Sequence, residues 1–142
     1  MKRITFFLLF FSIGLSVQAQ EQEKVKEAMF NYLNGFYKGD SSLIIASVDT
    51  NVYKYGYFMQ NGSYRGTRMT YKEMIAFTRN VKDGKIKFPA NARAEAVVFE
   101  VNDKTALGKV FADWGFDYIL LAKQNDRWMI RQILWQNYPP AK

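Results

Sequence analysis

From Ala92 onward the apolar residues stop recurring at helical intervals and begin to alternate, and this change of period limits the fold more than any other feature of the chain. Four alternating segments follow: ARAEAVVFEV, KTALGKVFADW, FDYILLAK and RWMIRQILWQN. Their separators, VNDK, the Gly115 region and QNDR, are short, so the segments pair as antiparallel hairpins. Proline stands at Pro89, before the first long strand, and at Pro139 and Pro140, after the last, where it interrupts no ladder.

The first part of the chain is helical. Between Glu21 and Lys38 the residues Val25, Ala28, Met29, Tyr32, Leu33, Phe36 and Tyr37 make one broad apolar stripe opposite Glu23, Lys24, Lys26 and Glu27. Lys38 and Gly39 end that helix, and Asp40 caps a second, shorter one over SSLIIASV. Asp49 to Asn51 reads as a turn into the aromatic strand VYKYGYF, and NGSYRGT as two further glycine turns. Thr70 and Glu73 form a capping-box pattern for a third helix reaching Asn80. Helices followed by a run of strands predict an α+β domain with a sheet curled over the helices.

Two strands lack a polar side. In RWMIRQILWQN strict alternation sets Trp128, Ile130, Gln132, Leu134 and Gln136 against Met129, Arg131, Ile133, Trp135 and Asn137. In KTALGKVFADW it sets Leu107, Lys109, Phe111 and Asp113 against Ala106, Gly108, Val110, Ala112 and Trp114. One face can cover the helices, and the other then needs a concave pocket or a second subunit.

Lys2 and Arg3 precede the apolar run ITFFLLFFSIGLSV, which ends in VQAQ, the pattern of a signal peptide over residues 1–19 with cleavage after Ala19. The expected product is an exported protein, periplasmic or extracellular, with one domain over 20–142 and no membrane anchor after cleavage. Loss of Lys2 and Arg3 lowers the formal charge of +7 by two, and no charge block or recognition motif accompanies the remainder, so nucleic acid is not an expected partner. The chain has no cysteine and no histidine, which removes disulfides, thiolate chemistry, histidine triads and zinc-hydrolase motifs. Acidic residues lack calcium-loop spacing, and the glycine phrases lack a nucleotide fingerprint, so no metal and no cofactor is expected.

The order of elements and the phrases FNYLNGFYKGDSSLIIASVD, FPANARAEAVVFEV and FDYILLAKQNDRWMIRQILW resemble the nuclear transport factor 2-like superfamily. Within it they are similar to the bacterial family of putative lumazine-binding proteins, over nearly the whole chain after Ala19. The resemblance implies a cone-shaped, cystatin-like fold with N-terminal helices packed in a strongly bent, mixed or antiparallel sheet. It further implies a cavity at the open end and, often, a homodimer across the sheet's outer face. Tyr32 matches the oxyanion-binding tyrosine of ketosteroid isomerase relatives, whereas their catalytic aspartate position falls on Lys54. Dehydratase relatives use a histidine and aspartate pair, and this chain has no histidine.

These readings give three expectations for function. In the first, a non-catalytic domain binds a small hydrophobic or aromatic ligand between Tyr32, Phe36, Tyr55, Phe58 and Trp114, with Lys54 or Arg65 meeting an acid group. In the second, an isomerase or dehydratase uses Tyr32 to polarise an oxygen and Asp113 or Asp117 to move a proton. In the third, a structural homodimer meets through Arg131, Ile133 and Trp135. Each side chain also has a plainer role, Tyr32 and Phe36 as core and Asp113 as a solvent-facing turn residue.

Overall fold

The computed structural model describes the backbone of residues 4–140 and the side chains of residues 17–140, so the expected basic start of the signal peptide at Lys2 and Arg3 lies outside the described residues. Helix α1 (Ile4–Lys38) is followed by α2 (Ser41–Ser47), strands β1 (Val48–Gln60) and β2 (Ser63–Met69), helix α3 (Tyr71–Lys82), and strands β3 (Ala94–Val101), β4 (Thr105–Ala112), β5 (Gly115–Gln124) and β6 (Arg127–Gln136). The strands form one open sheet in the order β2-β1-β6-β5-β4-β3. Every neighbouring pair is antiparallel except β1 and β6, which run parallel.

The apolar stripe of α1 is what the sheet wraps. Val25, Ala28, Met29, Tyr32, Leu33 and Phe36 are all buried, joined by Ile44 of α2, Met74 of α3 and Val110, Ile119, Ile130 and Ile133 of the sheet. Each valine, leucine, isoleucine, phenylalanine or methionine among them contributes roughly 1.5–3 kcal/mol by leaving water. The corner after α1 is a Schellman turn: Asp40 N–H donates to Gly35 O at 2.9 Å, and Gly39 N–H donates to Phe36 O at 3.3 Å. Gly39 has φ +64°, and a Cβ there would lie 2.5 Å from the Lys82 backbone nitrogen, so both conformation and space require glycine. The Asp40 carboxylate then accepts from Ser42 N–H at 2.9 Å and caps α2, and Thr70 and Glu73 form the reciprocal capping box of α3.

Three expectations are corrected. Asp49 to Asn51 is not a turn before the strand but lies within β1, where the pairing with β6 shifts register between Val48 and Tyr53. NGSYRGT holds one turn rather than two: Asn61 (φ 51°) and Gly62 (φ 77°) close a two-residue hairpin, and Ser63–Met69 continues as β2. Gly66 sits inside that strand because the Tyr55 hydroxyl lies where its Cβ would be. The third correction is in β6, whose alternation breaks at Arg131. Leu121 pairs with Ile130 and Leu120 with Gln132, so Arg131 is an extra residue that bends the strand. Ile130 and Ile133 therefore both point into the core, fully buried, while Gln132 and Leu134 face outward. Asp49 fastens this bend, accepting from Arg131 Nη1 at 2.8 Å, Gln124 Nε2 at 3.0 Å and Asn51 N–H at 2.7 Å. Burial pushes the Asp49 carboxyl up, but those hydrogen bonds outweigh it and the net displacement is downward.

Helix α1 is tied to the far end of the sheet by Glu21. Its carboxylate accepts from Lys123 Nζ at 2.8 Å, Lys24 Nζ at 2.9 Å and Trp128 Nε1 at 2.9 Å, and these bonds lower its pKa from 4.5 to about 2. A carboxyl depressed on folding stabilises fully above its unfolded pKa and loses that contribution as pH falls through the folded one. The expected outcome is that wild-type stability declines between pH 4.5 and 2, and that E21Q is less stable at pH 7 by about 1 kcal/mol, the upper end for an ion pair open to solvent. The variant should also decline less over that acid range. Denaturant titrations of both proteins across the range check this.

Candidate functional site

Inside the cone, one row of inward-facing residues crosses the sheet: Ala96, Val110, Asp117, Trp135 and Gly56, each paired with the next on the neighbouring strand. Trp135 can lie across β1 only because residue 56 is glycine, since a Cβ there would come within 2.2 Å of the indole. Two residues earlier on the same face of β1 is Lys54, 5 % exposed, aimed at the helices. Lys54, Asp117 and Tyr32 come from β1, β5 and α1, and the fold brings them together at its centre.

Their hydrogen bonds form a chain. Lys54 Nζ donates to the Tyr32 oxygen at 2.6 Å, Tyr32 O–H donates to Asp117 Oδ2 at 2.5 Å, and Trp114 Nε1–H donates to Asp117 Oδ1 at 2.9 Å. Lys54 and Asp117 are also a direct ion pair at 3.8 Å, with Asp117 fully buried. Burial, reinforced by the negative charge of Asp117, holds the Tyr32 phenol well above its ordinary pKa, so it stays neutral. Burial also lowers the pKa of the Lys54 amine, and Asp117 opposes that shift in part. Ring centroids of Tyr32, Phe36, Trp114 and Trp135 lie 5.1, 5.0, 5.9 and 6.0 Å from Lys54 Nζ, an aromatic enclosure of the amine.

Above this centre lies a partly open cavity of about 230 Å³ lined by Phe36, Lys54, Met69, Phe77, Phe88, Trp114, Trp135 and Asn137. Phe36 is its pivot, meeting Tyr32, Phe77 and Trp114 edge to face at 5.1, 5.3 and 5.7 Å. Trp114 reaches the cavity from the two-residue turn between β4 and β5, not from the strand continuation that simple alternation implied. Asn137 secures the mouth: its Nδ2–H donates to Trp114 O at 2.6 Å and its Oδ1 accepts from Met59 N–H at 3.0 Å. Tyr37 braces the same turn, accepting from Asp113 N–H at 2.8 Å and donating to Arg93 O at 2.5 Å.

Of the residues expected at a ligand site, Phe36, Lys54 and Trp114 line the cavity, and Tyr32 stands behind Lys54. Tyr55 is on the outer face of the sheet, stacked on Tyr53 at 6.4 Å, because it is one residue out of phase with Lys54. Arg65 is exposed on the edge strand β2, and Phe58 shares the inner side with Lys54 but does not line the cavity. Of the two acid-base candidates, Asp113 is exposed on the turn and Asp117 is sealed behind Tyr32 and Trp114, so neither lines the cavity. The trio Arg131, Ile133 and Trp135 does not form one outward surface: the bulge leaves Arg131 exposed on Asp49, Ile133 in the core and Trp135 in the cavity wall.

Met69, Phe77, Phe88 and Asn137 were not expected at the site. Phe77 belongs to the apolar face of α3 and could have been inferred once that helix was placed at the mouth. Phe88, in the irregular segment between α3 and β3, carries no periodic signal.

Removing one member of a buried ion pair strands the other, whereas removing both leaves no charge to solvate. D117N is expected to destabilise the protein by about 3–5 kcal/mol. K54M combined with D117N should recover about 2 kcal/mol of that loss or more, a coupling that urea titration of the double-mutant cycle measures directly.

The geometry can be set against known proteins. Residues 20–136 match the family described as "Putative lumazine-binding". No curated protein matches the sequence. Among solved structures, an NTF2-like protein of unknown function from Shewanella baltica is similar at TM-score 0.63 and 17 % identity, covering 85 % of this chain and 96 % of its own. One from Silicibacter pomeroyi is similar at TM-score 0.63 and 13 % identity, with 84 % and 98 % covered. One from Methylobacillus flagellatus is similar at 0.61 and 15 %, with 84 % and 94 % covered. At these identities the likeness establishes the fold, an NTF2-like α+β cone with an open six-stranded sheet. With the family matched from the middle of α1 to the end of β6, the chain belongs to the Putative lumazine-binding family.

Proposed function

We propose that the protein is an exported small-molecule-binding protein whose cavity holds a compact, flat, mostly apolar ligand with one oxygen or acid group directed at Lys54. The observation that carries this reading is a cavity of about 230 Å³ walled, among the described residues, by five aromatic rings, a methionine, an asparagine and one amine, that of Lys54. An apolar cavity of roughly 150 Å³ accommodates benzene, so a fused two-ring compound is the appropriate size, and lumazine, for which the family is named, is of that kind. Apolar walls supply affinity and one placed polar group fixes orientation, the usual division of labour in a ligand pocket. Export rests on the signal-peptide pattern of residues 1–19. It is supported by the Glu21 network, which fastens α1 to the sheet immediately after the expected cleavage point.

Trp114 and Trp135 both line the cavity and report its occupancy. Titration with lumazine or 2-naphthoate should quench tryptophan fluorescence saturably, and K54M should weaken naphthoate binding about tenfold, or about 1.4 kcal/mol. Absence of any saturable change with either compound contradicts the reading.

A second observation favours self-association. On the outer face of the sheet Tyr53, Tyr57, Val97, Tyr118, Leu120 and Leu134 are exposed together, Leu134 by 50 %. Leu134 pairs with Tyr118 and Tyr55, and Leu120 with Gln132 and Leu107, so this is a continuous band. Such a band is larger than the scattered apolar residues of an ordinary surface and suits a second copy of the same sheet. Wild-type protein is expected to sediment as a dimer and L120E/L134E as a folded monomer. A monomeric wild type at high concentration contradicts the dimer.

A further inference from the structure

We propose that Lys54 is a covalent carbonyl-capture site, its amine condensing with a small aromatic aldehyde or ketone in the cavity to form an imine. This rests on the cavity being a ligand site and adds a bond to it. The first support is placement. Among the described residues Lys54 supplies the only amine side chain of the cavity wall, its Nζ within 6.0 Å of four aromatic ring centroids, and apolar surroundings favour the neutral, nucleophilic amine.

The second support is a route for the proton that the amine must shed. The titratable groups that face Nζ are Tyr32 of α1 and Asp117 of β5, in one line of hydrogen bonds. Shifting one proton along each bond converts an ammonium and a carboxylate into an amine and a carboxylic acid, with Tyr32 neutral before and after. Neither end state holds an uncompensated buried charge, so the interior imposes no large desolvation cost on the shift.

The third support is that condensation conserves this balance. The Nζ lone pair attacks the carbonyl carbon, a C–N bond forms, and a proton moves from nitrogen to the former carbonyl oxygen, giving a carbinolamine. The proton held on Asp117 returns through Tyr32 to that hydroxyl, the C–O bond breaks, and water leaves. The product is an iminium in place of the original ammonium, opposite a carboxylate again, with no change of oxidation state. Tyr32 is a catalytic residue in this scheme, since its hydroxyl touches the reacting nitrogen and carries the protons.

The test is to incubate the purified full chain with 2-naphthaldehyde and sodium cyanoborohydride at neutral pH and to map the reduced adducts by peptide mass spectrometry, with 2-naphthoate binding measured in parallel. Lys54 should be modified at least tenfold faster than the exposed Lys24 and Lys85, with a rate that saturates in aldehyde. Y32F should saturate at a similar concentration but react at least tenfold more slowly, whereas a merely structural role would shift the saturation concentration. K54R should give no adduct at that site. Site mapping on the wild type keeps the test independent of whether variants fold. If naphthoate binds and Lys54 reacts no faster than the exposed lysines, the capture proposal is overturned while the cavity reading stands. If naphthoate fails to bind as well, both fall.

Discussion

The interior of this cone is organised around a charge that would be untenable alone. Lys54 is 5 % exposed, and an isolated ammonium at that depth costs far more than a small domain's whole stability margin. It is tolerated because Tyr32 and Asp117 meet it in line, and because Trp114 satisfies the remaining carboxylate oxygen. Three elements remote in sequence must therefore arrive together: the last two turns of α1, the centre of β1 and the start of β5. The order of the sheet serves this link, since β6 lies between β1 and β5 and places Lys54 and Asp117 at neighbouring levels of one inner face.

Around that link, small backbone departures decide what is cavity and what is core. The extra residue at Arg131 rotates the rest of β6 by one position, sending Ile133 inward and making Trp135 a cavity wall instead of a surface residue. Gly56 leaves the room that the indole then occupies. The hairpin turn at Asp113 and Trp114 folds a second indole back over Phe36. Bend, missing side chain and turn together produce an aromatic chamber with Lys54 in its wall.

Much of this was legible in the sequence. The helical stripe from Val25 to Phe36, the corner at Gly39 and Asp40, the Thr70 capping box and the four late strands are local patterns, and local patterns survive into the structure because each is fixed by residues a few positions apart. That Phe36, Lys54 and Trp114 lie near one another was legible, and they share a cavity wall, whereas Tyr32, expected beside them, stands behind Lys54. The bulge in β6 was not, because RWMIRQILW alternates acceptably in either phase and only the pairing with β5 selects between them. Phe88 and Asn137 were illegible for a similar reason: their place at the cavity depends on tertiary docking of segments that carry no period. The burial of Asp117 depends on Tyr32 and Trp114, one of which is 85 positions away.

Lys54 is an enclosed amine coupled to Asp117 through Tyr32 at the wall of the cavity. Nitrogen-15 NMR of the lysine side chains over a pH titration, with and without 2-naphthoate, tests it most directly. One lysine, identified as Lys54 by its loss in K54R, should exchange protons slowly, titrate below the others and shift when naphthoate is added. A Lys54 resonance that titrates with the exposed lysines and ignores the ligand would contradict it.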